Sequence, residues 1–324
     1  MARLSHFHGV HCETVATGTL LKNLGHELSE PMLFGVGEGL GFVFLNLASL
    51  PLPFLGGRSK PFELTQAACR NLHLRLEASE TSSKTKAWST LEARLQSGPV
   101  GLQLDCFFLP YFEHAPHFAG HFVAATRTLG DAEVEVVDTV QQGSLHRVAR
   151  AALERARHAR GPMSARARSY TVHGQGRLQL KSAVASALRN NALRYLTPAF
   201  SGMGAPGLTK LARSLPSWAS MAKSPSDLRL AADLMERAGT GGALFRNLYR
   251  DFLGEACTVL PRQAKRLTTA RAGFARSAEL WTEMARLLEQ CARDGRSEHL
   301  VEAAALCRPI ADAELTAMAL LAES

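Results

Sequence analysis

The chain is 324 residues long, 46% hydrophobic and carries a formal net charge of +8, which is enough length and apolar content for a large core and about two domains. Its first residues lack the apolar run of a signal peptide. The longest greasy stretch, Phe42 to Leu55, is broken by Asn46, Pro51 and Pro53 and is too short to cross a bilayer, so a soluble cytoplasmic protein is expected. The six cysteines are scattered with no C-x-x-C pair, which argues against a cysteine-built zinc site or a disulfide framework and fits a reducing compartment.

The first predicted element is a helix entered through His6-Phe7-His8-Gly9-Val10-His11-Cys12-Glu13 and ending at Leu24-Gly25, with Ala16, Leu20 and Leu24 on one face. A cysteine at a helix start meets unsatisfied backbone N–H groups and the positive end of the macrodipole, which favour thiolate. Taken alone, Cys12 fits equally well as a small buried apolar residue. Ser29 or Glu30 begins a short helix with Pro31 in its first turn. Gly35-Val36-Gly37-Glu38-Gly39-Leu40-Gly41 then alternates glycines, but without a preceding strand or the G-x-x-x-x-G-K-[ST] form it is not a phosphate loop. Those glycines instead let the backbone pass close to a neighbouring wall.

Phe42 to Leu45 reads as a strand, Pro51 to Gly57 as a loop, Phe62 to Leu72 as a helix and Leu74 to Glu77 as a strand. Ser83 to Gln96 is a helix closed by Ser97-Gly98-Pro99. Val100 to Leu109, His121 to Thr128 and Glu133 to Asp138 read as strands, the last two joined by a Gly130-Asp131 turn. The first half is therefore α+β. Beyond residue 145 the strand signal disappears. Leu145 to Ala159 reads as a basic helix, Gly161 to Gly176 as a connection, and the remainder as helices over 178–196, 208–221, 225–238, 241–257, 262–292 and 297–321. In the fourth of these, Leu244, Phe245, Leu248, Tyr249, Phe252 and Leu253 form a core stripe, while Arg246, Arg250 and Asp251 face elsewhere. A boundary near 165 gives an α+β domain over 1–160 and an all-α domain over 161–324.

Three residues in the first half have suitable chemistry in a suitable order: Cys12 at a helix start, His121 in a strand and Asp138 at the end of the next strand. Antiparallel neighbours joined by a short turn can bring His121 beside Asp138. The acid would fix the imidazole and the imidazole would take the thiol proton. A metal site at His114, His117 and His121 is the rival reading, but Pro116 and Gly120 interrupt a helix there, and none is expected. His6, His11 and Glu30 are further candidates for oxyanion or substrate contacts.

The runs His11-Cys12-Glu13, Ser29 to Phe42, Gly120-His121-Phe122-Val123 and Val137-Asp138, in that order, resemble the butirosin-biosynthesis protein H N-terminal family. That family is similar in turn to papain-fold, bacteriocin-processing peptidase-like domains. Gly239 to Leu253 resembles the helical domain of unknown function that accompanies it. The resemblance implies a papain-like N-terminal domain in an acyltransferase of specialised metabolism, moving an acyl or aminoacyl group from a carrier-protein thioester to an amine. Cys12 would be the nucleophile, His121 the general base and acid, and Asp138 the orienting acid. Papain-fold peptidases carry a glutamine shortly before the cysteine. This sequence has His6 at the comparable place, which points away from ordinary proteolysis.

The charge map fits such a partner. Residues 151–223 hold 12 Lys and Arg against Glu154 alone, and Arg155, Arg157, Arg166 and Arg168 are the residues expected to dock an acidic acyl carrier protein. The implied partners are that carrier protein and a small amine, with no membrane. The only aromatic residues interleaved with the basic block are Tyr170, Tyr195, Phe200 and Trp218, which argues against nucleic acid. No bound cofactor is implied; the phosphopantetheine arm would arrive as part of the substrate. A cysteine peptidase or thioesterase, and a non-catalytic binding module, are the alternatives.

Overall fold

The structure is a computed structural model that describes residues 5–47, 50–113, 116–161, 163–238 and 242–323. In chain order the elements are α1 (Cys12–Asn23), α2 (Glu30–Val36), β1 (Leu40–Leu45), β2 (Phe54–Arg58), α3 (Glu63–Asn71), β3 (Arg75–Ser79), α4 (Lys84–Leu95), β4 (Val100–Leu104), β5 (His121–Leu129) and β6 (Glu133–Val137). There follow β7 (Leu145–Ala149), α5 (Arg150–His158), β8 (Ser169–His173), α6 (Leu180–Leu196), α7 (Gly204–Ser214), α8 (Trp218–Met221), α9 (Pro225–Asp233), α10 (Ala243–Val259), α11 (Ala264–Asp294) and α12 (Glu298–Ala322). This is an α+β chain whose N-terminal region carries the larger sheet and whose C-terminal region is helical. Two compact units result, one of Met1–Leu33 with Pro61–Gln179 and the other of Phe34–Lys60 with Leu180–Ser324. The division thus falls at three places in the chain, where the sequence suggested a single boundary near 165.

The first unit is built on an antiparallel sheet in the order β3-β8-β4-β5-β6-β7. Residues alternating along each strand line opposite faces. Val100, Leu102, Leu104, Val123, Ala125, Val134, Val136 and Val148 form one core with Trp88 and Leu91 of α4 and Leu153 and Ala156 of α5. The second core holds α1 and α3. There Phe62 packs on Phe122 and Tyr170, and Thr17 of α1 hydrogen-bonds both Thr65 of α3 and the Tyr170 hydroxyl. Helix α1 is buried over Glu13–Leu21 on every side rather than along one stripe. Its polar side chains are satisfied internally: the Glu13 carboxylate accepts from the N–H groups of Phe62 and Thr65 at the start of α3, and the Thr19 hydroxyl donates to the Val15 carbonyl.

Two strands of this sheet, β7 and β8, lie where the local pattern carries no strand signal. The stretch Leu145 to Ala159 divides into β7 and α5, because Leu145–Ala149 pairs along β6 before the chain turns helical. The expected connection over 161–176 contains β8, wedged between β3 and β4, with Tyr170 opposite Ala78 and Gly101. A Cβ on Gly101 would stand 2.1 Å from the Tyr170 ring, so this glycine makes room for the aromatic residue that pins the strand.

In the second unit, β2 occupies residues expected to be a loop and pairs with β1. The apolar side of β1, Leu40, Phe42 and Phe44, is buried; Phe42 lies against Trp281 of α11 at 5.6 Å, and the Phe44 N–H bonds the Gly202 carbonyl just before α7. The glycine-rich stretch is indeed a close backbone approach: a Cβ on Gly35 would stand 2.1 Å from the Phe252 ring, and Asn191 of α6 donates to the Leu40 carbonyl. The long helices α11 and α12 pack together, joined by α6, α7, α9 and α10. Phe245, Tyr249, Phe252 and Leu253 of α10 are core residues as expected, but Arg246 does not face elsewhere. It is wholly buried and paired with Glu314 of α12 through two bonds of 2.8 and 2.9 Å.

Candidate active site

Cys12 is the first residue of α1, and His11 at the N-cap supplies no side-chain hydrogen bond to the first turn. The opening N–H groups of a helix have no intrahelical acceptor, so the positive end of α1 bears on the thiol. The approach to Cys12 is fixed by Glu30. Its carboxylate accepts from the N–H groups of Val10 and His11 and from the Thr14 hydroxyl, at 2.7–3.0 Å. Burial pushes the Glu30 carboxyl up from its ordinary pKa, while the bonds from Thr14, Val10 and His11 pull it back. A Cβ on Gly9 would stand 2.5 Å from a Glu30 oxygen, so only glycine lets the carboxylate reach those amides. The Gly9 carbonyl in turn accepts from the Val140 N–H, which ties this turn to the segment after β6.

His121 opens β5 opposite Leu104. Ala124 pairs with Val137, which sets His121 diagonally across from Asp138, a spacing that long side chains span. His121 Nε2 lies 2.7 Å from Asp138 Oδ2, with side-chain exposures of 8% and 0%. Cys12 lies close enough to the same imidazole to favour its charged form. Burial alone disfavours the imidazolium. The charges of Asp138 and Cys12 and the hydrogen bond to Asp138 outweigh it and hold the His121 pKa well above the ordinary value. Asp138 is itself anchored, its Oδ1 accepting from the Thr139 N–H at 2.7 Å and its Oδ2 from the Tyr111 hydroxyl at 2.9 Å. The structure therefore holds His121 against Asp138 and places Cys12 within electrostatic reach of the imidazole.

The other sequence candidates have different surroundings. Glu30 spends its oxygens on the Val10 and His11 amides and the Thr14 hydroxyl, accepting from each. His11 is buried at the N-cap, and His6 receives the Lys22 ammonium on its carbonyl and lies near enough to Glu135 to lower that carboxyl's pKa. Of the four arginines expected to dock a partner, Arg157 is 2% exposed and donates to the Ala87 and Ala167 carbonyls, so it has no face to offer. Arg168 is partly exposed, binds Glu80 and Gln103 and lies over the Phe62 ring. Arg155 is exposed, as is Arg166, 3.7 Å from Glu80. His114 lies outside the described residues; His117 pairs with Asp105 at 2.8 Å, so it and His121 take different carboxylates. Among the described residues no group of three or more His, Cys, Asp or Glu could hold a metal ion, and no helix is long and apolar enough to cross a membrane.

Tyr111, Phe112 and Cys106, not among the sequence candidates, also lie beside these residues. Phe112 meets the His121 ring edge-on at 5.1 Å. Cys106 lies close enough to feel the charges of His121 and Cys12, although burial pushes its thiol up to about 11. The signal was present in Cys106-Phe107-Phe108-Leu109-Pro110-Tyr111-Phe112, an aromatic run with a proline, too dense for an ordinary exposed connection.

No curated protein matches the chain. A family model described as butirosin biosynthesis protein H, N-terminal, matches residues 11–139, a stretch that begins one residue before Cys12 and ends one residue after Asp138. A second, described as the domain of unknown function DUF4872, matches residues 151–321. With these two models lying end to end over most of its length, the chain belongs to the family that joins a butirosin biosynthesis protein H N-terminal domain to a DUF4872 domain.

Proposed function

We propose that the chain is a papain-like, cysteine-dependent acyltransferase of specialised metabolism that moves an acyl or aminoacyl group from a carrier-protein thioester to an amine. The observation that carries the reading is a thiol at the first position of a buried helix, beside a histidine held by a buried aspartate. His121 takes the Cys12 thiol proton as the sulfur attacks the thioester carbonyl, and the tetrahedral oxyanion forms at the positive end of α1. The bond to pantetheine sulfur breaks and His121 returns the proton to that leaving thiol. The incoming amine attacks the Cys12 thioester, His121 takes its proton, and collapse breaks the bond to Cys12 sulfur, which receives that proton from His121 as the amide leaves. Exchange of one thioester for another is nearly balanced, so the protein's task in the first half is positioning. The papain-like assignment is supported by a helix-borne cysteine facing a strand-borne histidine, and the metabolic setting by the family name.

The test is to supply an acyl-carrier thioester with and without a panel of primary amines and follow products by mass spectrometry. An amide that forms faster than free acid supports transfer. Free acid released at the same rate whether or not amine is present would show a thioesterase instead.

A further inference from the structure

Beyond the three residues of the proposed site, we infer that Tyr111 is a positioning residue, whose hydroxyl shares one oxygen of Asp138 with His121 and thereby sets how strongly the aspartate holds the imidazole. Both groups meet Oδ2, the phenol at 2.9 Å and the imidazole at 2.7 Å. The other oxygen is held by the Thr139 amide, so the carboxylate stays in place without the phenol, whose distinctive effect is on the charge available at Oδ2. A phenol donating there draws off part of that charge and leaves less to stabilise the imidazolium. Burial of the hydroxyl and the adjacent Asp138 charge push the phenol well above its ordinary pKa, so it stays a donor throughout the range where His121 titrates.

The surroundings are built to keep it there. The Tyr111 ring lies flat on the His146 ring of β7, with centroids 3.6 Å apart and planes 7° from parallel. Its neighbour Phe112 packs edge-on to His121, so consecutive residues touch the acid and the base. The segment is tethered by Asp105, which accepts from the N–H groups of Phe107 and Phe118 and from His117. An aromatic residue needed only for packing would not have its hydroxyl aimed at the one oxygen that also faces the histidine.

This inference rests on the proposed site, but its test reads the histidine directly. The His121 titration is followed by NMR in histidine-labelled full-length protein, for the wild type, Tyr111→Phe, and a chain with site-specific fluorotyrosine at 111. Tyr111→Phe keeps the ring on His146 and removes the donor, and should raise the His121 pKa by about half to one unit. Fluorotyrosine donates more strongly and should lower it. The rate of Cys12 alkylation by iodoacetamide, measured alongside against pH, should shift its profile in the same directions. Should the phenylalanine variant not fold, the fluorotyrosine chain still gives a signed answer. An unmoved His121 in folded variants, with Cys12 still the fastest-alkylated cysteine in the wild type, overturns the role of Tyr111 alone. A wild type in which Cys12 is no more reactive than the other cysteines overturns the proposed site and this inference with it.

Discussion

His121 Nε2 lies 2.7 Å from Asp138 Oδ2, with both side chains almost wholly withdrawn from solvent. Such a pair is strong because water does not compete for either partner. It also fixes which ring nitrogen faces the carboxylate.

Replacing Asp138 by asparagine keeps the shape and removes the charge that raises the His121 pKa. The high-pH limb of the rate profile should move down, and acyl transfer at neutral pH should fall by about 10²–10⁴-fold. Stability carries the same sign. A raised histidine pKa adds stability that is full below its ordinary value of 6.5 and is lost as pH climbs through the folded value. The margin of the wild type over Asp138→Asn should therefore shrink as pH rises above 6.5, as measured by urea unfolding across a pH series.

The Gly9–Glu30 approach gives a second test. A methyl at residue 9 would stand 2.5 Å from the carboxylate, so Gly9→Ala should drive Glu30 from the amides of Val10 and His11. In Glu30→Gln the amide nitrogen would face those donors as another donor. Each change should cost about 1–3 kcal/mol in denaturant titrations and slow Cys12 alkylation, although neither residue is part of the proton relay.

The arginines separate a docking role from a structural one. Reversing charge at Arg155 and Arg166, both exposed, should raise KM for a carrier-bound acyl group and leave a small-molecule thioester unaffected. Arg157→Ala instead removes a buried donor to two carbonyls and should lower the melting temperature with no preference between substrates.

In the helical unit, Arg246 and Glu314 are both fully buried. Removing either partner strands a charge, so Arg246→Met or Glu314→Gln should cost about 3–5 kcal/mol, and the double replacement less than the sum. Burial raises the Glu314 pKa, but the Arg246 charge and hydrogen bonds lower it further, so the net value lies below 4.5. The pair's contribution is thus present above pH 4.5 and fades as pH falls through the folded value. A double-mutant cycle in denaturant at neutral pH, repeated in acid, checks both statements.

What could be read from the chain follows from the range of the interactions involved. Helices with a clean period and strands closed by local turns were legible, and so was the meeting of His121 with Asp138, because one tight Gly130-Asp131 turn brings their strands together. β8 was not, since Ser169–His173 has no strong local pattern and becomes a strand by lying between β3 and β4. Nor was β7, whose residues run without a break into α5. Arg246 reads as polar in any periodicity, and its burial depends on Glu314, 68 positions away. Glu30 was noticed as a charge near the site, but the three groups it accepts from are set by the fold of the preceding loop. The aromatic run holding Tyr111 is visible in the chain, but its contacts with Asp138, 27 positions away, and with His146 are made only by the fold.

Whether Cys12 accepts the acyl group is read by intact-mass analysis of the full-length protein after brief exposure to an acyl-carrier thioester. A mass gain of one acyl group is expected, mapped to Cys12 by peptide analysis, absent in Cys12→Ser and discharged on adding an amine. Acylation of another residue, or a gain that survives in Cys12→Ser, would rule Cys12 out as the acceptor.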